Sequence, residues 1–180
     1  HDVTFDDNVV HNCPGAGVVY LQDCSGTCNY RVTNNEVYNA TNGGIVVQGS
    51  QSTALGVLIE HNYVHDICTG TNNYDAIQLG IGAGAGGFGM SNGVIRQNLV
   101  ERVASTSNFK PNACSSGDSI DIGSNRNCNS GYLVEDNIIR NAGGAFKVHG
   151  PSPDAGCTQA NMNGASVPNT IVRYNIIDGQ

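Results

Sequence analysis

The sequence predicts an all-β chain, a parallel β-helix of about five to six short coils, and three observations predict it. First, one short motif keeps returning. It is written Asp7-Asn8-Val9-Val10-His11, Asn34-Asn35-Glu36-Val37-Tyr38, His61-Asn62-Tyr63-Val64-His65 and Gln97-Asn98-Leu99-Val100-Glu101, then Asp136-Asn137-Ile138-Ile139-Arg140 and Tyr174-Asn175-Ile176-Ile177-Asp178. Second, the anchor Asn residues of these motifs are spaced by 27, 27, 36, 39 and 38 residues, the period of a repeat architecture. Third, apolar residues alternate with period two around each anchor, and no amphipathic helix of useful length appears.

Each repeat carries two strand signals. One leads into the anchor: Val3-Thr4-Phe5, Tyr30-Arg31-Val32, Val57-Leu58-Ile59, Val94-Ile95, Leu133-Val134 and Ile171-Val172. It resumes past the anchor with an apolar residue two positions on: Val10, Val37, Val64, Val100, Ile139 and Ile177. The other follows a Gly or Asp: Gly17-Val18-Val19-Tyr20, Gly44-Ile45-Val46-Val47, Asp75-Ala76-Ile77-Gln78-Leu79, Asp118-Ser119-Ile120-Asp121-Ile122 and Gly144-Ala145-Phe146-Lys147-Val148. Stacked about 4.8 Å apart, such coils would run the anchors into an internal Asn ladder. Two outward columns test the alignment. Glu60, Arg96, Glu135 and Arg173 stand two residues before the anchors, and His65, Glu101, Arg140 and Asp178 three residues after. Neighbouring coils then mostly present opposite charges, as paired strands prefer, and such exposed pairs are structural.

The repeat lengthens along the chain through residues 81–92, 104–117, 125–131 and 151–168, all of loop composition. They are expected to protrude as walls of a groove over the C-terminal coils. The Gly-rich run lacks the GK[ST] signature and following helix of a phosphate loop.

The 180 residues are one domain's worth of chain, 1–180, with 24 Gly, no Trp and only 13% charged residues. A net charge of −7 with no Lys/Arg cluster argues against nucleic acid as a partner, and no apolar run approaches transmembrane length. Seven cysteines (Cys13, Cys24, Cys28, Cys68, Cys114, Cys128 and Cys157) in Gly/Ser/Asn-rich company point to disulfides and a secreted, extracellular protein. Asn39-Ala40-Thr41 is a glycosylation sequon compatible with that setting. His1 and Gln180 fall within a repeat, so the chain is expected to be a segment of a longer β-helix, its ends stacking on further chain or a partner subunit.

Aligning the second strands sets Val18, Ile45, Ile77, Ile120 and Phe146 inward, with Val19, Val46, Gln78, Asp121 and Lys147 outward. That outward column turns from apolar to ionisable where the loops lengthen. Asp75 and Asp118 hold equivalent positions at the strand starts, and His149 lies beyond Lys147, with Arg126 and Arg140 as further candidates. Two chemistries suit this set. In β-elimination on a uronide, Lys147 would remove the C5 proton while Asp75, Asp118 and Asp121 hold Ca²⁺ or substrate, with Gln78, His149, Arg126 and Arg140 binding the sugar. In glycoside hydrolysis, two carboxyls such as Asp75 and Asp118 would act as acid and base. The plain alternative is that the aspartates form turns and that Asp121 and Lys147 are only an ion pair.

The anchor motif and the Gly/Asp-headed strands together resemble the right-handed parallel β-helix, or pectin-lyase-like, superfamily across essentially the whole chain. Asn73-Tyr74-Asp75-Ala76-Ile77 is similar to the polygalacturonase Asn-Thr-Asp-Gly-Ile, and Gly117-Asp118-Ser119-Ile120 to that family's Asp-Asp strand, with Gly117 in place of the first Asp. Phe146-Lys147-Val148 is similar to the strand bearing the catalytic lysine of the lyases. The resemblance implies a protein acting on an acidic polysaccharide, by lyase-type elimination first and by hydrolysis second. The alternative is a non-catalytic structural or adhesive β-helix segment.

Overall fold

The computed structural model describes residues 2–14, 17–21, 28–47, 55–68, 75–79, 92–103, 118–122, 131–148 and 170–179. Among them every regular element is a strand. The first coil is β1 (Asp2–Asp6), β2 (Val9–His11) and β3 (Gly17–Leu21), and the second β4 (Cys28–Thr33), β5 (Glu36–Ala40) and β6 (Gly43–Val47). The third is β7 (Leu55–Glu60), β8 (Tyr63–Ile67) and β9 (Ile77–Leu79), and the fourth β10 (Gly93–Arg96), β11 (Leu99–Val103) and β12 (Asp118–Ile122). Then come β13 (Leu133–Glu135), β14 (Ile138–Arg140) and β15 (Gly144–Val148), and finally β16 (Ile171–Arg173) and β17 (Ile176–Asp178).

Like strands of successive coils pair in parallel. Sheet A runs β1-β4-β7-β10-β13-β16, sheet B β2-β5-β8-β11-β14-β17, and sheet C β3-β6-β9-β12-β15. This is a parallel β-helix. Its core is the inward column of each sheet, including the fully buried Val32, Ile59, Val64, Val100, Ile77 and Ile120. Each such side chain contributes about 1.5–3 kcal/mol by leaving water.

The Asn anchors turn the chain from sheet A to sheet B. The residue before each anchor is left-handed: φ is 56° at Asp7, 57° at Asn34, 56° at His61, 54° at Gln97, 54° at Asp136 and 56° at Tyr174. The anchor side chain closes the resulting turn. Asn98 Nδ2 donates to its own coil at Arg96 O (2.9 Å), to the preceding coil at Ile59 O (3.0 Å), and to Asn137 Oδ1 (2.9 Å). Its Oδ1 accepts the backbone N–H (2.9 Å) and Nδ2 (3.0 Å) of Asn62. The same pattern links Asn35 to Asn62 and Asn137 to Asn175. An amide can do this because it carries donors and an acceptor at once.

Both charge columns form as the alignment expects. Arg96 pairs with Glu60 at 2.5 Å and Arg173 with Glu135 at 2.8 Å, while Arg140 lies 3.6 Å from Glu101 and 3.8 Å from Asp178.

One register is corrected. The sequence alignment sets Val18 beside Ile45, but Val19 is the residue that pairs with Ile45, and Tyr20 pairs with Val46. Gly17 aligns with Gly43, 26 residues on, although the anchors are 27 apart. The double glycine Gly43-Gly44 permits either alignment by sequence. Burial decides it: Val19 is 4% exposed inside, while Tyr20 is 39% exposed outside. The outward column of sheet C is therefore Tyr20, Val46, Gln78, Asp121 and Lys147.

Candidate functional site

The predicted set is divided by the fold. Asp75 lies two residues before the start of β9, Gln78 lies within it, β12 carries Asp118 and Asp121, and Lys147 lies on β15. In register, Asp121 stands between Gln78 and Lys147, and Asp118 stands opposite Gly144. Arg140 belongs elsewhere: it is on sheet B, between Glu101 and Asp178. Arg126 and His149 lie outside the described residues, as do Asn73, Tyr74 and Gly117.

Contact and depth order the cluster. Asp75 is 3% exposed, and its Oδ1 accepts the backbone N–H of Asp118 at 2.8 Å while Oδ2 accepts from Gln78 Nε2 at 2.9 Å. Gln78 and Asp121 are equally deep, although both point away from the apolar core. Asp118 and Lys147 form the accessible edge, with side chains 20% and 42% exposed and Nζ 3.8 Å from Oδ2. Gln78 Oε1 has no hydrogen-bond partner among the described residues.

Burial sets the protonation of the deep pair. It is the main cause that pushes Asp75 up to about 7, reinforced by the charges of Asp121 and Asp118 and opposed by the Asp118 N–H. Asp121 is also raised by burial, but Lys147 and a hydrogen bond from Asp75 oppose the rise. The hydrogen bond between the two carboxyls therefore has Asp75 as donor. Below about pH 7 Asp75 keeps its proton, beside the half-buried side chain of Asp118.

Calcium takes six to eight oxygens, and of the three aspartates Asp75 spends both of its oxygens on the Asp118 N–H and Gln78 Nε2. Among the described residues no three or more His, Cys, Asp or Glu are arranged to hold a metal.

Two site features lay beyond sequence reasoning. Ser119 Oγ donates to Gly144 O at 2.8 Å, tying β12 to β15. Gly144 itself lies against the Asp118 carboxylate: a Cβ there would stand 2.1 Å from Oδ1. A glycine near the strand start is the only signal, and each of the five sheet C strands has one or an Asp in its place.

Sheet B carries a second polar network, of which the sequence singled out only His65 and Glu101. Asp66 holds Arg102 through both guanidinium contacts at 2.8 Å, and that pairing first of all holds its carboxyl down to about 2. His65 faces Asp66 Oδ2 at 2.7 Å and Glu36 Oε1 at 3.2 Å, between the stacked rings of Tyr38 and Tyr63. Tyr63 Oη donates to Glu101 at 2.8 Å. These groups are paired mainly with one another, and the network reads as a brace across coils two to four.

No family model, curated protein or solved structure significantly matches this chain. Among the described residues no helix is long and apolar enough to cross a membrane.

Proposed function

We propose that this chain is a secreted β-helix protein of the pectin-lyase-like type that cleaves an acidic polysaccharide at the Asp118–Lys147 edge of sheet C. One observation carries the reading. An accessible carboxylate and ammonium, 3.8 Å apart, stand in front of a buried carboxyl that keeps its proton to about pH 7. Carboxyl groups in different protonation states are the parts that acid–base cleavage of a glycosidic bond needs.

In this reading Lys147 binds the uronate carboxylate. Asp118 takes a proton from the water that attacks the anomeric carbon, and the departing sugar oxygen receives the proton held by the Asp75–Asp121 pair. Lys147 lies 3.8 Å from Asp118 Oδ2, a pairing that favours anchoring a uronate over proton abstraction and so hydrolysis over elimination. Elimination remains the second reading because Lys147 is the exposed base on the same edge. Secretion is supported by the seven cysteines and by the exposed sequon residue Asn39.

A panel of uronate polymers tests both readings, assayed for reducing ends and for the ultraviolet absorbance of unsaturated product. New reducing ends without absorbance, lost in Asp118→Asn, support hydrolysis. Absorbance lost in Lys147→Ala supports elimination. Silence in both assays on every polymer sinks the enzymatic reading and leaves the structural or adhesive one.

A further inference from the structure

We propose that Gly144 is a positioning residue: by lacking a side chain it lets the Asp118 carboxylate lean across to the next rung and reach Lys147. The role matters for catalysis only if the reaction proposed above occurs at Asp118.

Asp75 and Asp118 occupy one column of sheet C on successive rungs, because Ile77 pairs with Ile120. Their surroundings nevertheless differ. The rung after Asp75 is Asp118, whose N–H captures Asp75 Oδ1 at 2.8 Å and helps hold it inside. The rung after Asp118 is Gly144. An ideal Cβ on Gly144 would lie 2.1 Å from Asp118 Oδ1 and 3.2 Å from its Cγ, so the carboxylate occupies the space that any other residue would fill. From there Oδ2 stands 3.8 Å from Lys147 Nζ, three residues further along the same strand. Ser119 Oγ, donating to Gly144 O at 2.8 Å, fixes the spacing of the two strands at this point.

The nature of the clash makes the idea testable. At Gly144 the closest atoms belong to the end of one rotatable side chain, so an added methyl moves the Asp118 carboxylate and spares the backbone. Gly44 is the opposite case, where a Cβ would meet the backbone oxygen of Ala76 at 2.5 Å.

The experiment compares Gly144→Ala with the parent in two ways. Thermal unfolding of Asp118→Asn, Lys147→Met and the double variant measures their coupling with no substrate present. The two changes are expected to be non-additive in the parent and additive in the Gly144→Ala background. On the polymer the parent cleaves, Gly144→Ala is expected to lower kcat about a hundredfold while leaving KM within about threefold, as misplacement of a reacting group does. Coupling that survives Gly144→Ala overturns the proposal whatever the activity. Lost coupling in a chain whose parent cleaves nothing supports the positioning role and refutes the reaction. Should Gly144→Ala fail to fold, Gly144→Ala with Asp118→Ala decides. Recovery of folding supports the contact with Asp118, and continued unfolding places the clash in the backbone and overturns the proposal.

Discussion

Two polar ladders run through this β-helix, and they solve the problem of stacking polar side chains in opposite ways. The Asn ladder between sheets A and B repeats one neutral amide from Asn8 to Asn175, with donors and acceptor matched at every inner rung. The acidic column of sheet C holds Asp75 and Asp118 and ends at Gly144. A carboxylate accepts but cannot donate, so a ladder of them cannot repeat. Its second member is tolerable only because the first keeps a proton and the second leans toward a lysine. Matched rungs make structure, and mismatched rungs leave chemistry over.

The largest test of this contrast is to break the satisfied ladder. Asn98→Ala removes a buried amide that serves Asn62, Asn137, Ile59 O and Arg96 O. It is expected to cost about 4 kcal/mol in urea unfolding, since several buried groups lose their partners together. A loss below about 1 kcal/mol would mean that water replaces the amide and the ladder is not what holds the coils.

The next largest relieves the mismatched column. Asp75 titrates at about 7 when folded, above the value near 3.9 of an unfolded Asp, so folding binds its proton more tightly. The contribution of Asp75 to stability should therefore be fully present below about pH 4, be lost as pH rises to about 7, and change little above that. Asp75→Asn removes the titrating group, and its amide can still donate to Asp121 while Gln78 turns its unpartnered Oε1 toward it. The variant is expected to flatten the pH dependence and to be more stable than the parent at pH 8 by on the order of 3 kcal/mol. Parallel stability curves for the two proteins would show that Asp75 is ionised like an ordinary carboxylate.

The smallest effect sharpens the ladder's geometry. Gln97 is an exposed residue held at φ 54°, where Asn34 serves in the second coil at φ 57°. Gln97→Asn should raise stability by about 0.5 kcal/mol, because Asn tolerates the left-handed region better. A loss on thermal unfolding would indicate that the Gln97 side chain has a role beyond the turn.

The amino-acid sequence by itself determined the coil architecture. The anchors, the inward columns and both outward charge columns stand where the alignment set them, because a strict period leaves one way to bury every apolar face. It failed at β3, where Gly43-Gly44 offered two registers and only the buried fit of Val19 chose between them. The candidate site was legible as a list and not as an arrangement. Asp75, Gln78, Asp118, Asp121 and Lys147 come together because their strands stack, whereas Arg140 is carried to sheet B by the Asn137 turn. The tertiary structure alone decided which aspartate is buried with a proton and which reaches Lys147. Protonation depends on burial and on the neighbouring rung, and residues 43 or 26 positions apart in sequence supply that rung.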